Sequence, residues 1–223
     1  MILIPARNEA PRVGRVVRAA RDACPGVPVV VVANGCTDQT AAVAIDAGAR
    51  VLESAPGYGN ALLMGYRHAS QSGDLQWLVQ MDADGQHPAA SVPQLVGALE
   101  RADAVVGSRL VRGGSAAGWP RHRRWTIRAM GAATRWMSGL RIDDVTSGFQ
   151  AFRPEVVSML AQKFDPVLTD ANMLVRMKRW GFTITEVGVP MQPRSGGESM
   201  HGGWRSAIYA GKTLMAVSQE IRG

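Results

Sequence analysis

Apolar positions along the chain follow two periods. Short, mainly apolar runs at Met1–Ile4, Val29–Val32, Val51–Leu52, Leu75–Met81 and Ala104–Gly107 alternate with Ala/Arg-rich stretches. In those stretches apolar residues return at helical spacing. Ala10–Ala23 is the clearest, with Val13, Val16, Val17 and Ala20 on one side. Asp38–Gly48 reads as a helix closed by its glycine, and Ala61–Ser70 and Val92–Ala102 read as helices. Val29–Val32 has no polar position, which suits a strand covered on both faces. The repeated strand-helix rhythm predicts an α/β fold: a mostly parallel central sheet with helices on both faces.

The second half is less regular. Gly113–Gly118 is a small-residue loop. Arg124–Leu140 reads as a helix with Ile127, Met130, Thr134 and Met137 on one side. Asp170–Trp180 is a helix, Thr183–Val189 a strand, Pro190–Gly203 a mobile loop, and Trp204–Ile221 a terminal helix. The chain reads as a single domain over residues 1–223, a regular half at 1–110 followed by a less regular half at 111–223.

Composition narrows the setting. At 223 residues and 46% hydrophobic, the chain is long enough for one α/β core. Two cysteines, Cys24 and Cys36, imply no disulfide framework and point to a reducing cytosol. No apolar run reaches the ~18 residues of a membrane span, and the apolar N-terminus is too short for a signal peptide. A cytoplasmic protein is expected, with association at the inner membrane face allowed. The net charge is +7, and the only lysines are Lys163, Lys178 and Lys212. Nucleic acid, an anionic membrane and a phosphate-rich substrate all fit such a charge. The arginines are spread along the chain with one cluster at Arg121, Arg123, Arg124 and Arg128, and no nucleic-acid motif accompanies them. A nucleic-acid partner is therefore not expected.

The sharpest chemistry lies where the strand ending at Met81 runs into Asp82-Ala83-Asp84-Gly85-Gln86-His87-Pro88. Ligands of parallel sheets gather beyond the carboxyl ends of strands. Two neighbouring carboxylates there stay ionised beside a cation, and Mg²⁺ or Mn²⁺ completed by substrate phosphates meets that need. A polar turn is the plain alternative. Pro5-Ala6-Arg7-Asn8-Glu9 joins the first strand to the first helix. Arg7 can pair with phosphate or stack on a base; Asn8 and Glu9 can equally cap the helix. Asn34 ends the next strand and can meet a base edge or ribose, while Thr37 or Asp38 caps the helix that follows. Gly57-Tyr58-Gly59-Asn60 precedes a helix and is either a phosphate-accepting start or a turn. Asp143–Arg153 offers core aromatics and small polar residues for an acceptor pocket. Arg194–His201 offers a cation in a loop able to close over a diphosphate.

In order and spacing these stretches resemble family 2 of the glycosyltransferases, over nearly the whole chain, and most of all its dolichyl-phosphate mannose synthase and polyprenyl-phosphate glycosyltransferase branch. The matching segments are Pro5–Glu9, Asn34–Asp38, Gly57–Leu62, Asp82–Pro88, Gly107–Arg109, Thr146–Phe152 and Arg194–Ser199. The resemblance implies a GT-A (Rossmann-like) fold and a metal-dependent, inverting transfer of a sugar from a UDP- or GDP-linked donor. It implies a polyprenyl phosphate or a small soluble molecule as acceptor. Asp82 would face the donor's ribose or diphosphate, and Asp84 and Gln86 would hold Mg²⁺ or Mn²⁺; His201 would add a further metal ligand or touch the diphosphate. Arg194 would grip phosphate. Pro5, Arg7, Glu9, Asn34, Gly59, Ala83 and Asp84 would cradle the donor, making residues 1–110 the nucleotide-binding half and 111–223 the acceptor-binding half. Asp170 stands where relatives place an acid and is the candidate base for a hydroxyl acceptor; it could equally cap its helix. His87 is read as structural. Ala33, Tyr58 and Met200 depart from residues common in relatives, an Asp and two lysines.

Two other classes remain in view. A nucleotidyltransferase on a similar scaffold would open with a Gly-rich basic loop, which Ile4–Glu9 lacks. A non-catalytic sugar-nucleotide module would not require the intact Asp82, Asp84 and Gln86. The stretch Trp125–Leu140, apolar beside the arginine cluster, is either a core helix or a segment at a membrane surface.

Overall fold

The computed structural model describes residues 1–116, 121–167 and 171–192. A seven-stranded sheet runs through the middle in the order β3-β2-β1-β4-β7-β5-β8. Its strands are β1 (Ile2–Ala6), β2 (Val29–Asn34), β3 (Arg50–Ser54), β4 (Leu78–Gln80), β5 (Ala104–Ser108), β7 (Gln150–Phe152) and β8 (Ile184–Gly188). All pairings are parallel except those of β7, which runs against β4 and β5. A short parallel pair, β6 (Ser115–Ala116) with β9 (Pro190–Met191), lies beside it.

The register explains why the inner strands are continuously apolar. Leu3 pairs with Val30, and both face one core; Ile2 and Ile4 face the other with Val29 and Val31. Every residue of β1, β2 and β5 is buried, as expected for strands covered on both faces. One face is closed by α1 (Ala10–Ala23), α2 (Thr40–Asp46) and α4 (Val92–Ala98). The other is closed by α3 (Tyr58–Ser70), α5 (Arg121–Ser138), α6 (Pro154–Lys163) and α7 (Ala171–Arg179). α1 buries Val13, Val16, Val17 and Ala20, the stripe its sequence spacing implies. α5 turns Ile127, Met130 and Thr134 inward and leaves Trp125 and Trp136 at 70% and 88% exposure.

Several expectations are corrected. β4 is three residues long and starts at Leu78, so Leu75–Trp77 is not strand. α3 starts at Tyr58, three residues before the expected helix. The Gly113–Gly118 loop contains β6, and the first residues of the expected loop Pro190–Gly203 form its partner strand β9. Trp204–Ile221 lies outside the described residues. β7 and α6 had no counterpart in the sequence reading. β7 is a three-residue strand inside the sheet between β4 and β5, too short for its period to show, and its Ala151 and Phe152 face opposite cores. No helix among the described residues is long and apolar enough to cross a membrane.

Candidate active site

Because β1, β2, β3, β4, β5 and β8 all point the same way, the segments after them collect at one edge of the sheet. β1 lies between β2 and β4, so the chain reverses its lateral direction between β1 and β4, and a crevice opens at such a switch point. Arg7–Glu9 follow β1 and Asp82–Gln86 follow β4, one on each side. The antiparallel β7 begins at this same edge, which brings Gly148 against Asp82.

Asp82 carries its side chain at 35% exposure, open to a ligand. Ala83 turns into the core, so it can meet a ligand only through its backbone. Asp84 is buried, and its Oδ1 accepts the Gln86 N–H at 3.0 Å. Gln86 is tied to a residue 106 positions further on: the Gln192 N–H donates to its carbonyl at 2.9 Å, and its Nε2 donates to the Gln192 carbonyl at 3.4 Å. Residue 192 is thereby fixed beside the acidic pair. Side-chain oxygens of Asp82, Asp84 and Gln86 are hard donors suited to Mg²⁺ or Mn²⁺. Among the described residues no group of three His, Cys, Asp or Glu could hold a metal by itself. A cation here would take further ligands from substrate phosphates or from residues beyond those described.

His87 is structural, as its sequence context suggested. Its Nδ1 accepts the Asp82 N–H at 2.9 Å, and its ring stacks on Phe149 with centroids 5.0 Å apart. Burial pushes its pKa down to about 4, so it is a neutral brace beneath Asp82. Its Nε2, 3.7 Å from Asp82 Oδ2, forms a dipolar contact rather than an ion pair.

The other motif residues mainly hold loops to one another. Asn8, in a left-handed conformation (φ 54°), accepts the Thr37 N–H at 2.9 Å and so caps the neighbouring loop, not its own helix. Asp38 accepts N–H groups from Ala10 (3.1 Å) and Thr40 (3.0 Å), serving α1 and α2 together. Glu9 is buried and pairs with Arg12 at 2.5 Å. Asn34 is 4% exposed, and its Oδ1 accepts the Gly57 N–H at 2.7 Å. Pro5 is buried at the end of β1, while Arg7 is exposed at the crevice rim. Gly59 is buried for a packing reason: a Cβ there would lie 1.9 Å from the Pro166 carbonyl oxygen. Asp170, Arg194 and His201 lie outside the described residues.

Two features of this edge escaped the sequence reading. One is a buried ion pair: Arg109 donates Nε and NH2 to Asp144 at 2.7 and 2.6 Å. The other is a chain of hydrogen bonds linking Tyr66, Gln80, Tyr58 and Asp82. A glutamine inside an apolar strand was the available signal, since a buried amide must find partners. A separate cavity of about 400 Å³, lined by Lys163, Arg176, Arg179 and Trp180, contains none of the motif residues.

A parallel sheet with an acidic pair at its switch point is the arrangement of the GT-A glycosyltransferases. The profile of the family described as Glycosyl transferase family 2 matches residues 1–160. This chain belongs to glycosyltransferase family 2, which sets aside the nucleotidyltransferase reading. It is 33% identical to an undecaprenyl-phosphate mannosyltransferase of Micrococcus luteus, over 91% of this chain and 88% of that one. It is 31% identical to a polyprenol monophosphomannose synthase of Mycolicibacterium smegmatis, over 91% and 81%. In fold it is similar to glucosyl-3-phosphoglycerate synthase of Mycobacterium tuberculosis, solved with Mn²⁺, UDP and glucosyl-3-phosphoglycerate. That likeness has a TM-score of 0.74 at 23% identity and covers 99% of this chain and 78% of that one.

Proposed function

We propose that this glycosyltransferase moves a sugar from a UDP- or GDP-linked donor to a polyprenyl phosphate, inverting the anomeric carbon. The observation that carries this is the Asp82-Ala83-Asp84 turn at the switch point, with Gln86 tied to Gln192. The polyprenyl-phosphate acceptor is supported by the two relatives named for that chemistry, each aligned over most of both chains. In this reading residues 1–110 bind the donor and residues 111–223 the acceptor.

Pro5, Arg7, Glu9 and Asn34 line the nucleoside side of the crevice, with the Ala83 backbone beneath the ribose. Gly59 lets the 164–167 segment approach α3. Asp82 meets the ribose or diphosphate. Asp84 and Gln86 would hold Mg²⁺ or Mn²⁺, and His201 is offered as a further ligand. The cation's chemistry is to offset the negative charge that builds on the departing diphosphate. Arg194, offered by the family resemblance, would grip the same phosphates. The acceptor oxygen attacks the anomeric carbon from the side opposite the diphosphate; one C–O bond forms as the other breaks. A phosphate acceptor is already an anion and requires no base. Asp170 would serve as base only for a hydroxyl acceptor.

A long lipid acceptor implies work at a membrane. The outer face of α5 carries exposed Arg124, Trp125, Arg128, Arg135 and Trp136. Indoles with cations suit the headgroup layer of an anionic bilayer. The test is incubation with radiolabelled UDP- and GDP-sugars, Mn²⁺ and polyprenyl phosphate. An organic-soluble labelled product is expected; label transferred only to water-soluble acceptors would overturn the lipid reading.

A further inference from the structure

Beneath Asp82 runs a line of hydrogen bonds. Tyr66 on α3 is fully buried, edge-on to Phe152 and Phe164, and donates its hydroxyl to Gln80 Oε1 at 2.6 Å. Gln80 Nε2 lies 3.2 Å from the Gly148 carbonyl oxygen and 3.3 Å from the Tyr58 hydroxyl. That hydroxyl lies 3.2 Å from Asp82 Oδ1.

The available protons set the direction of the chain. Burial raises the pKa of Tyr66, so its phenol keeps its proton and needs an acceptor. The nearby Met173 thioether, 3.7 Å away, is a weak one. Gln80 must therefore present Oε1 to Tyr66. Its two amide protons then go to the Gly148 carbonyl and to the Tyr58 oxygen. Tyr58 has one proton, and it points at Asp82. Glycine at 148 keeps this place clear. A Cβ there would lie 3.1 Å from the Tyr58 hydroxyl and 3.6 Å from both Asp82 carboxylate oxygens.

We propose that Tyr58 is a positioning residue for donor binding: anchored by Gln80 and Tyr66, its hydroxyl holds the Asp82 carboxylate in the orientation that meets the donor. The proposal rests on the reading of Asp82 as the donor-facing acid. A half-open aspartate has free rotation about two side-chain bonds, and a ligand must pay to stop it. The chain of hydrogen bonds stops it beforehand, and His87 below the turn fixes the backbone of the same residue. Tyr58 also opens α3, whose preceding Gly57 is bound by Asn34, so the device couples the loop after β3 to the turn after β4.

The test is calorimetric titration of UDP and of GDP, each with Mn²⁺, into wild type, Tyr58→Phe, Asp82→Asn and the double variant. Tyr58→Phe is expected to weaken the nucleotide that binds wild type by about tenfold, the order expected for losing one hydrogen bond to a charged group. Its circular dichroism stays that of wild type. In the Asp82→Asn background the same replacement adds no further loss. Gln80→Leu, which leaves the Tyr58 hydroxyl without its anchor, reproduces the loss and is non-additive with Tyr58→Phe. Wild-type affinity in Tyr58→Phe, alongside weakened binding in Asp82→Asn, overturns the proposal while sparing the role of Asp82. An equal loss in both backgrounds also overturns it, because Tyr58 would then act on the ligand directly. Wild-type affinity in Asp82→Asn, or no nucleotide binding by wild type, refutes the underlying reading of Asp82 and the proposal with it.

Discussion

Asp143 and Asp144 stand side by side after α5, and the structure gives them opposite weights. Asp144 is wholly buried and accepts three N–H groups of Arg109: the backbone at 2.9 Å, Nε at 2.7 Å and NH2 at 2.6 Å. Arg109 is nearly as buried, at 10% side-chain exposure. Asp143 is 45% exposed and pairs with Arg135, itself 49% exposed. Asp144→Asn turns an amide N–H₂ toward guanidinium donors and removes the buried carboxylate that pairs with Arg109. Breaking a buried pair from one side costs about 3–5 kcal/mol, a large share of the ~5–15 kcal/mol that holds a domain together. Asp143→Asn removes a solvent-screened pair, a loss of about 0–1 kcal/mol. With a urea dependence of about 3 kcal/mol/M, the Asp144 variant should lose about 1–1.7 M in unfolding midpoint and the Asp143 variant about 0.3 M or less. Replacing both partners at once (Arg109→Met with Asp144→Leu) should recover much of the loss, since no charge is then stranded. Equal midpoints for the two single variants would refute the reasoning.

Further outcomes follow from the same contacts. Gly59→Ala drives a Cβ into the Pro166 carbonyl and should destabilise by about 1–3 kcal/mol; wild-type urea stability would contradict that packing. The Thr183 hydroxyl and N–H hold the Asp103 carboxyl below the usual carboxylate range. That stabilisation is complete above the unfolded value of about 3.9 and fades as pH falls through the folded value. Thr183→Val should therefore be less stable than wild type at neutral pH, with a gap that narrows on acidification; a widening gap would contradict the sign. Replacing Trp125 and Trp136 by Ser should lower sedimentation with vesicles containing phosphatidylglycerol, and unchanged binding would remove α5 as the membrane face.

Much of this fold was legible because its inner strands are buried on both faces. Val29–Val32 could hardly be anything but a central strand, and the α1 stripe at Val13, Val16, Val17 and Ala20 is the stripe the structure buries. The acidic turn was equally plain, since Asp82 and Asp84 interrupt the chain where an apolar strand ends. Short pieces were lost for want of period: β7 has three residues, β6 and β9 two each, and their pairing depends on partners distant in sequence. Pro154–Lys163 carries a good apolar stripe, and Pro154 and Glu155 are start signals that went unused because the strand before it was not recognised. At the site, Asn34 was read as a ligand contact and Asn8 and Asp38 as helix caps, and all three also stitch neighbouring segments together. Asn8, Asn34 and Asp38 spend side-chain oxygens on neighbouring backbone N–H groups, which no one-dimensional spacing records. The Arg109–Asp144 pair spans 35 positions, and the route from Tyr66 to Asp82 depends on which face of β4 Gln80 takes.

The central claim is that the acidic turn after β4 binds a nucleotide through a divalent cation. The most direct measurement is the rise in melting temperature caused by UDP or GDP, with and without Mn²⁺, in wild type and in Asp84→Ala. The account predicts a rise in wild type only when Mn²⁺ is present, and none in the variant, whose ligand-free melting stays close to wild type. A Mn²⁺-dependent rise that survives in Asp84→Ala would contradict it.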